Sequence, residues 1–317
     1  MRLRRSTTDH PGITRRRRGR GFSYTDPDGR PVTDTATLER ISALVIPPAW
    51  SDVWICVDER GHLQAAGTDA EGRRQYRYHP AWTERAERRK YARVRELARH
   101  TVPLRRCITA DLRGDDPRAR ATAIAARLID ALGVRLGDER YALEHGTVGA
   151  LTLEQQHVAI AGDRVTLDFP AKSGVQWNAS LRDADLAEAL SRVPRGRRVR
   201  LTEWREGTER RRVGSRALTE YLSVASGCAI TPKDLRTLLG SRTAAEVLAR
   251  SGPVPRADQD TVILAAVDAV ADALRNTRAV ARSSYIDPLV IERFRRGTVA
   301  TLTRSGVSDR AYADLVS

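Results

Sequence analysis

The sequence predicts an α+β protein: a small N-terminal β-rich domain followed by a larger, mainly α-helical domain that carries a β-hairpin insertion. Three observations lead there. Eight of the sixteen aromatic residues fall within 22–91, in stretches that alternate as strands do. From residue 83 the apolar spacing becomes helical. Alternation returns only at 156–169. The organisation that follows is a basic, flexible arm over 1–20, a β-rich domain over 21–87 and a helical domain over 88–317. A chain of 317 residues with 41% hydrophobic content has the length for two such domains and can bury a core.

In the first domain, Val53-Trp54-Ile55-Cys56-Val57 is short, apolar and β-prone, and Asp58-Glu59-Arg60-Gly61 turns the chain. His62–Gly67 then pairs back as a hairpin, and Gln75-Tyr76-Arg77-Tyr78 alternates after another turn. Ala86, Lys90, Tyr91, Val94 and Leu97 mark one face of a charged helix. Asp116-Pro117 is a helix start, with an acidic N-cap and proline at the first helical position. The apolar stripe Ala121, Ile124, Ala125, Leu128, Ile129, Leu132 follows and stops at Gly133. Residues 156–169 form a hairpin about Ala161-Gly162-Asp163, and Pro170–Gly174 is a tight turn. Helices are expected at 181–193, 215–226, 231–239, 243–250 and 258–275, with a last one from Asp287-Pro288 to Gly297.

Charge narrows the function. The chain carries 55 Lys+Arg against 40 Asp+Glu, a formal +15, which points to a polyanionic partner, with nucleic acid the default. Residues 1–20 hold eight arginines against Asp9 alone. This arm is read either as lying along phosphates or as a solubilising tail. Only three lysines occur, Lys90, Lys172 and Lys233, in a chain otherwise cationic through arginine. Arginine cannot give up a proton near neutrality whereas lysine can, so each lysine marks a place where a titratable ammonium is useful. No apolar run reaches the ~20 residues of a membrane span and no secretion signal opens the chain, so a cytoplasmic, nucleoid-associated protein is expected. Cys56, Cys107 and Cys228 have neither zinc nor disulfide spacing, as a reducing compartment would allow. The absence of a GxxxxGK[ST] loop argues against an ATP-driven motor.

Phosphoryl transfer on nucleic acid needs a nucleophile and compensation of transition-state charge. Carboxylate clusters that would hold metal ions are limited to Asp115-Asp116 and Asp183-Ala184-Asp185, both at helix starts where capping explains them. A route without metal uses Arg and Lys with a tyrosine hydroxyl. The C-terminal half fits that route, and six ordered segments carry a resemblance to a known family. They are Ile46-Pro47-Pro48-Ala49-Trp50 with Val53-Trp54-Ile55; Gln64–Asp69 leading to Gly72–Pro80; and Arg135-Leu136-Gly137 with Tyr141 and Gly146–Leu153. Lys172 after the hairpin, Lys233-Asp234-Leu235-Arg236-Thr237, and Asn276-Thr277 through Ser284-Tyr285-Ile286 complete the set.

In these segments, from about residue 22 to 300, the chain resembles the type IB DNA topoisomerases, in the compact branch of poxviruses and many bacteria. The resemblance implies that Tyr285 attacks a backbone phosphate to form a 3′-phosphotyrosine, and that Arg135 and Arg236 hold the non-bridging oxygens. It implies Lys172 as the general acid for the leaving 5′-oxygen, with Lys233 assisting. Asn276 stands where viral and eukaryotic members carry histidine; an amide donates a hydrogen bond but carries no proton or charge. Gln75, Tyr76, Tyr78, Arg140 and Tyr141 match DNA-contacting positions, although Tyr76 and Tyr78 read equally well as core. The implied protein is a monomer on double-stranded DNA that needs no cofactor, neither ATP nor metal, with Mg²⁺ at most stimulatory. Two alternatives stay open. A tyrosine recombinase shares the chemistry but usually shows HxxR where this chain has Lys233-Asp234-Leu235-Arg236. A non-catalytic DNA-binding module shares the charge.

Overall fold

The computed structural model describes residues 2–317 except 138, 140, 141, 143–145, 172 and 173. Arg140, Tyr141 and Lys172 therefore lie outside the described residues. The chain divides into two compact units, Met1–Arg89 and Lys90–Ser317.

The first unit is an antiparallel sheet of β1 (Ile13–Arg18), β2 (Gly21–Thr25), β3 (Ser51–Ile55), β4 (Leu63–Thr68) and β5 (Arg74–Tyr78), in the order β2-β1-β3-β4-β5. Helix α1 (Thr35–Ala43) starts at Asp34, whose carboxylate accepts from the Thr37 N–H at 2.8 Å. Its Ile41 packs against Ile13, Val53, Ile55 and Ala65. The arginine run corrects the expectation of a flexible arm, because Ile13–Arg18 is a strand paired on both sides. Ile13 enters the core, and Arg15 donates to the carbonyls of Ile46 (3.3 Å), Pro47 (3.0 Å) and Trp50 (2.7 Å) while stacking on Phe22. Alternation thus turns one arginine into a brace for the Pro-Pro-Ala-Trp loop. Helix α1 was not expected; its stretch has few apolar residues and a single buried one.

Helix α2 (Pro80–Arg113) carries the chain across the division. The second unit continues with α3 (Pro117–Leu132), begun by the Asp116 cap and ended by Gly133 at φ 64°. A Cβ on Gly133 would come within 2.7 Å of Leu274, so glycine serves both the left-handed backbone and the helix packing. Strands β6 (Val158–Ala161), β7 (Arg164–Pro170) and β8 (Gln176–Arg182) form a meander. The sequence signalled only the first two. The third, held by Trp177 stacked 5.8 Å from Phe169, is broken by polar residues. Next come α4 (Ala184–Ser191) and the hairpin β9 (Glu203–Glu206)–β10 (Glu209–Arg212), too charged to read as strands. Then follow α5 (Ser215–Ser226), α6 (Pro232–Ser251), α7 (Gln259–Leu274), α8 (Arg278–Ser284), α9 (Pro288–Arg295) and α10 (Asp309–Leu315). Helices α8 and α10 are short, seven residues each, and escaped the periodicity.

The expected break between 239 and 243 does not occur, since α6 is continuous. Gly240 falls in that expected gap, and the glycine is there for space. A Cβ at Gly240 would stand 2.8 Å from the Tyr285 carbonyl oxygen and 3.1 Å from the Tyr285 Cβ. Glycine in a helix interior costs up to about 1 kcal/mol against alanine, so a tertiary demand outweighs the local one. Gly240→Ala is therefore expected to displace the Tyr285 backbone and lower the thermal midpoint by about a few degrees, despite its better helix propensity. A melting curve measures this, and an unchanged midpoint would show that the contact relaxes harmlessly.

Candidate active site

The C-terminal end of α7 gathers the pocket. Arg236, one turn into α6, donates from Nη2 to the Leu274 carbonyl at 3.3 Å. Arg135, in the loop after α3, donates from Nη2 to the Arg275 carbonyl at 3.2 Å and to the Asn276 side-chain oxygen. Carbonyls at a helix C-terminus have no intrahelical partner and carry partial negative charge, so they attract both cations. Arg275 takes the left-handed conformation, φ 50°, that ends the helix and presents Asn276. The Asn276 N–H is fixed on the Ala271 carbonyl at 2.9 Å.

Tyr285 joins them as the cap residue after α8, with its side chain 9% exposed and its ring centroid 5.3 Å from Arg236 Cζ. It is held by its backbone. Its N–H donates to the Ala281 carbonyl at 3.0 Å, and its carbonyl accepts from Ser241 Oγ at 3.1 Å. The same Ser241 Oγ accepts from the Asp287 N–H at 2.9 Å. Asp287 is fully buried, receives both arms of Arg95 at 2.8 Å, accepts from the Tyr312 hydroxyl at 3.0 Å and caps α9. Burial, then the Asp287 carboxylate, hold the Tyr312 phenol well above its usual range, which keeps it a donor. Removing one member of such a buried pair costs roughly 3–5 kcal/mol, so this knot is structural support for the tyrosine segment.

The electrostatics are those of two cations drawn together at one helix end. Burial lowers the pKa of Arg135 and Arg236, Tyr285 opposes this, and Arg135 lowers Arg236 further by like charge. No carboxylate pairs with either guanidinium among the described residues. Arg236 Nη1 and Asn276 Nδ2 are buried donors with no partner among the described residues. A buried cation without a counter-charge is costly, and the pocket can recover that cost from a bound oxyanion.

Of the residues expected from the sequence, Tyr285, Arg135, Arg236 and Asn276 come together. Lys233 lies exposed one turn before Arg236 on the same side of α6, with no described contact from its ammonium to Tyr285. In the first unit, Tyr76 and Tyr78 are 48% and 44% exposed and stack at 6.2 Å on one side of β5, so they are not core. Gln75 points by alternation to the other side and donates to Asp69 at 2.8 Å. Burial pushes the Asp69 carboxyl up, but hydrogen bonds from Arg73, Gln75 and the Glu71 N–H bring it down to about 2. The paired acids once considered for metal serve the fold: Asp116 and Asp183 cap α3 and α4, and Asp185 pairs with Arg113. Sequence reasoning missed Gly240, Ser241 and the Arg95–Asp287 pair. A glycine-serine step inside a helical stripe was the available signal.

Residues 21–69 match the family described as bacterial DNA topoisomerase IB, N-terminal domain, and residues 79–296 match the eukaryotic DNA topoisomerase I catalytic core. The chain is 29% identical over 293 residues to DNA topoisomerase 1B of Acanthamoeba polyphaga mimivirus, covering 89% of this chain and 87% of that protein. It is 33% identical over 93 residues to DNA topoisomerase 1 beta of Arabidopsis thaliana, 29% of this chain and 10% of that one. With a helical unit built around a buried tyrosine and two arginines, these matches define an enzyme that breaks and rejoins DNA strands. The chain belongs to the type IB DNA topoisomerases, which relax supercoiled DNA through transient cleavage of one strand. No observation favours the recombinase alternative. No described helix is long and apolar enough to cross a membrane.

Proposed function

We propose that Tyr285 is the nucleophile of relaxation and that Arg135, Arg236 and Asn276 form the cradle for the scissile phosphate. The observation that carries this reading is a pair of buried donors with no partner among the described residues, Asn276 Nδ2 and Arg236 Nη1, the latter on the guanidinium that lies over the Tyr285 ring. Tyr285 Oη attacks the phosphorus, the P–O bond to the 5′-oxygen breaks, and the strand is held as a 3′-phosphotyrosine. As charge grows on the non-bridging oxygens, the guanidinium groups and the amide donate to them from fixed positions. Asn276 stabilises without shuttling a proton, because its amide cannot accept one here. Lys172 protonates the leaving oxygen and Lys233 assists, both carried over from the family pattern. The 5′-hydroxyl later attacks the phosphotyrosine, which restores the diester and frees Tyr285.

Each step exchanges one phosphodiester for another, so no nucleotide hydrolysis is needed, and Mg²⁺ at most stimulates turnover. Gln75, Tyr76, Tyr78, Arg140 and Tyr141 contact double-stranded DNA. The exposed tyrosine pair offers stacking or groove contacts, and the +15 charge gives affinity that falls steeply with salt. The enzyme acts as a cytoplasmic monomer. Incubation with supercoiled plasmid in EDTA and without ATP, then denaturation, is expected to trap a protein–DNA adduct and, without denaturant, to yield a ladder of relaxed topoisomers. Binding without adduct would sink the catalytic reading, and recombinant products would restore the recombinase.

A further inference from the structure

We infer that Lys90 is a positioning residue that fixes the direction from which Tyr285 attacks. The inference rests on Tyr285 being the nucleophile.

Lys90 is one of three lysines in an arginine-rich chain, and the reading of the site so far leaves it without a task. Its Nζ donates to the Ser284 carbonyl at 3.2 Å and stands 4.1 Å from the centroid of the Tyr91 ring. A peptide group is planar, so the Ser284 carbonyl and the Tyr285 N–H turn as one body. That plane is held at both ends, by Lys90 on the oxygen and by the Ala281 carbonyl on the N–H. The next plane is held by Ser241 Oγ on the Tyr285 carbonyl. The Tyr285 Cα therefore lies between two pinned planes, and its φ and ψ have little room to move. The side-chain origin is set by these anchors before any substrate contact.

Two neighbours of Lys90 on α2 extend the arrangement. Arg95 grips Asp287, two residues after the tyrosine. Arg93 donates to Asp234 at 3.2 Å, and Asp234 closes the capping box with Thr231 at the start of α6, two residues before Arg236. One stretch of α2 thus registers the nucleophile segment and the phosphate-binding arginine against the same helix. A compact ammonium suits the Lys90 position, because it meets a carbonyl and a ring face at once; the broad planar fork of arginine is shaped for oxygen pairs.

Lys90→Met removes the donor and keeps most of the stem, whereas Lys90→Gln and Lys90→Arg retain donors. Three quantities are read: the single-turnover rate of phosphotyrosine formation at saturating duplex, the DNA dissociation constant, and the thermal midpoint. The expected result for K90M is a rate about tenfold lower, consistent with misplacement rather than loss of a reacting group. Affinity and thermal midpoint should stay near wild type, and K90Q or K90R should recover part of the rate. An unchanged K90M rate overturns the inference. So does weaker DNA binding with the saturated rate intact, which would make Lys90 a backbone-contacting cation. Should K90M prove less stable, a wild-type rate in K90M at a temperature where it stays folded, or K90Q and K90R rates no better than K90M, would overturn it as well. These outcomes are separate from failure of the functional reading, which would appear as no adduct in the wild-type enzyme or an adduct in a Tyr285→Phe control.

Discussion

Tyr285→Phe is expected to abolish both the covalent adduct and relaxation, with the cleavage rate falling by at least about 10⁴-fold. The substitution deletes one oxygen. The ring stays beneath Arg236, and the backbone anchors from Ser241 and Ala281 are untouched, because neither involves the hydroxyl. Packing and DNA affinity should therefore change little, with the dissociation constant within about threefold of wild type, since the deleted group makes its decisive bond only during the reaction. Denaturing gels on a labelled duplex read the adduct and a plasmid assay reads relaxation. Relaxation retained in this variant would mean that another group attacks the phosphorus.

Arg236→Ala is the second large effect, and its two readouts should move in different directions. Losing a preorganised donor to the transition-state oxyanion costs about 10²–10³ in rate. Stability should not follow. Arg236 is 3% exposed, lacks a carboxylate partner among the described residues and feels Arg135 as a like charge. Removing a buried, uncompensated cation relieves desolvation, so the thermal midpoint should hold or rise. Arg236→Lys should restore only part of the activity, because a point charge cannot hold the Leu274 carbonyl and a phosphate oxygen with one planar fork. Full activity in Arg236→Ala would remove this residue from the site. A fall in the midpoint of several degrees would make its role in the free enzyme structural.

Local chemistry was legible residue by residue. Asp116-Pro117 and Asp287-Pro288 read as helix starts and are so, because a cap acts within one turn of its own sequence. The stripe from Ala121 to Leu132 read as a buried helix face for the same reason. The failures lie where a distant contact overrides a local preference. A gap was expected between the helices at 231–239 and 243–250, and Gly240 within it is instead the clearance for Tyr285. Asp287 read only as a cap, and its bonds to Arg95 and Tyr312 join α9 to α2 and α10. The arginine run at 15–18 read as a flexible arm, since nothing near it in sequence revealed the carbonyls that Arg15 would meet.

The sequence by itself determined the kind of enzyme: the ordered segments between about residue 22 and 300 carry the family resemblance, because each side chain's chemistry belongs to it alone. Tertiary structure decided what those groups are like in the free protein. Burial strips Arg236 and partly strips Arg135 of water at the end of α7, and Ser241 with Lys90 clamps both peptide planes of Tyr285. Desolvation and long-range hydrogen bonds depend on elements far apart in the chain meeting in space, and no window of neighbouring residues encodes that.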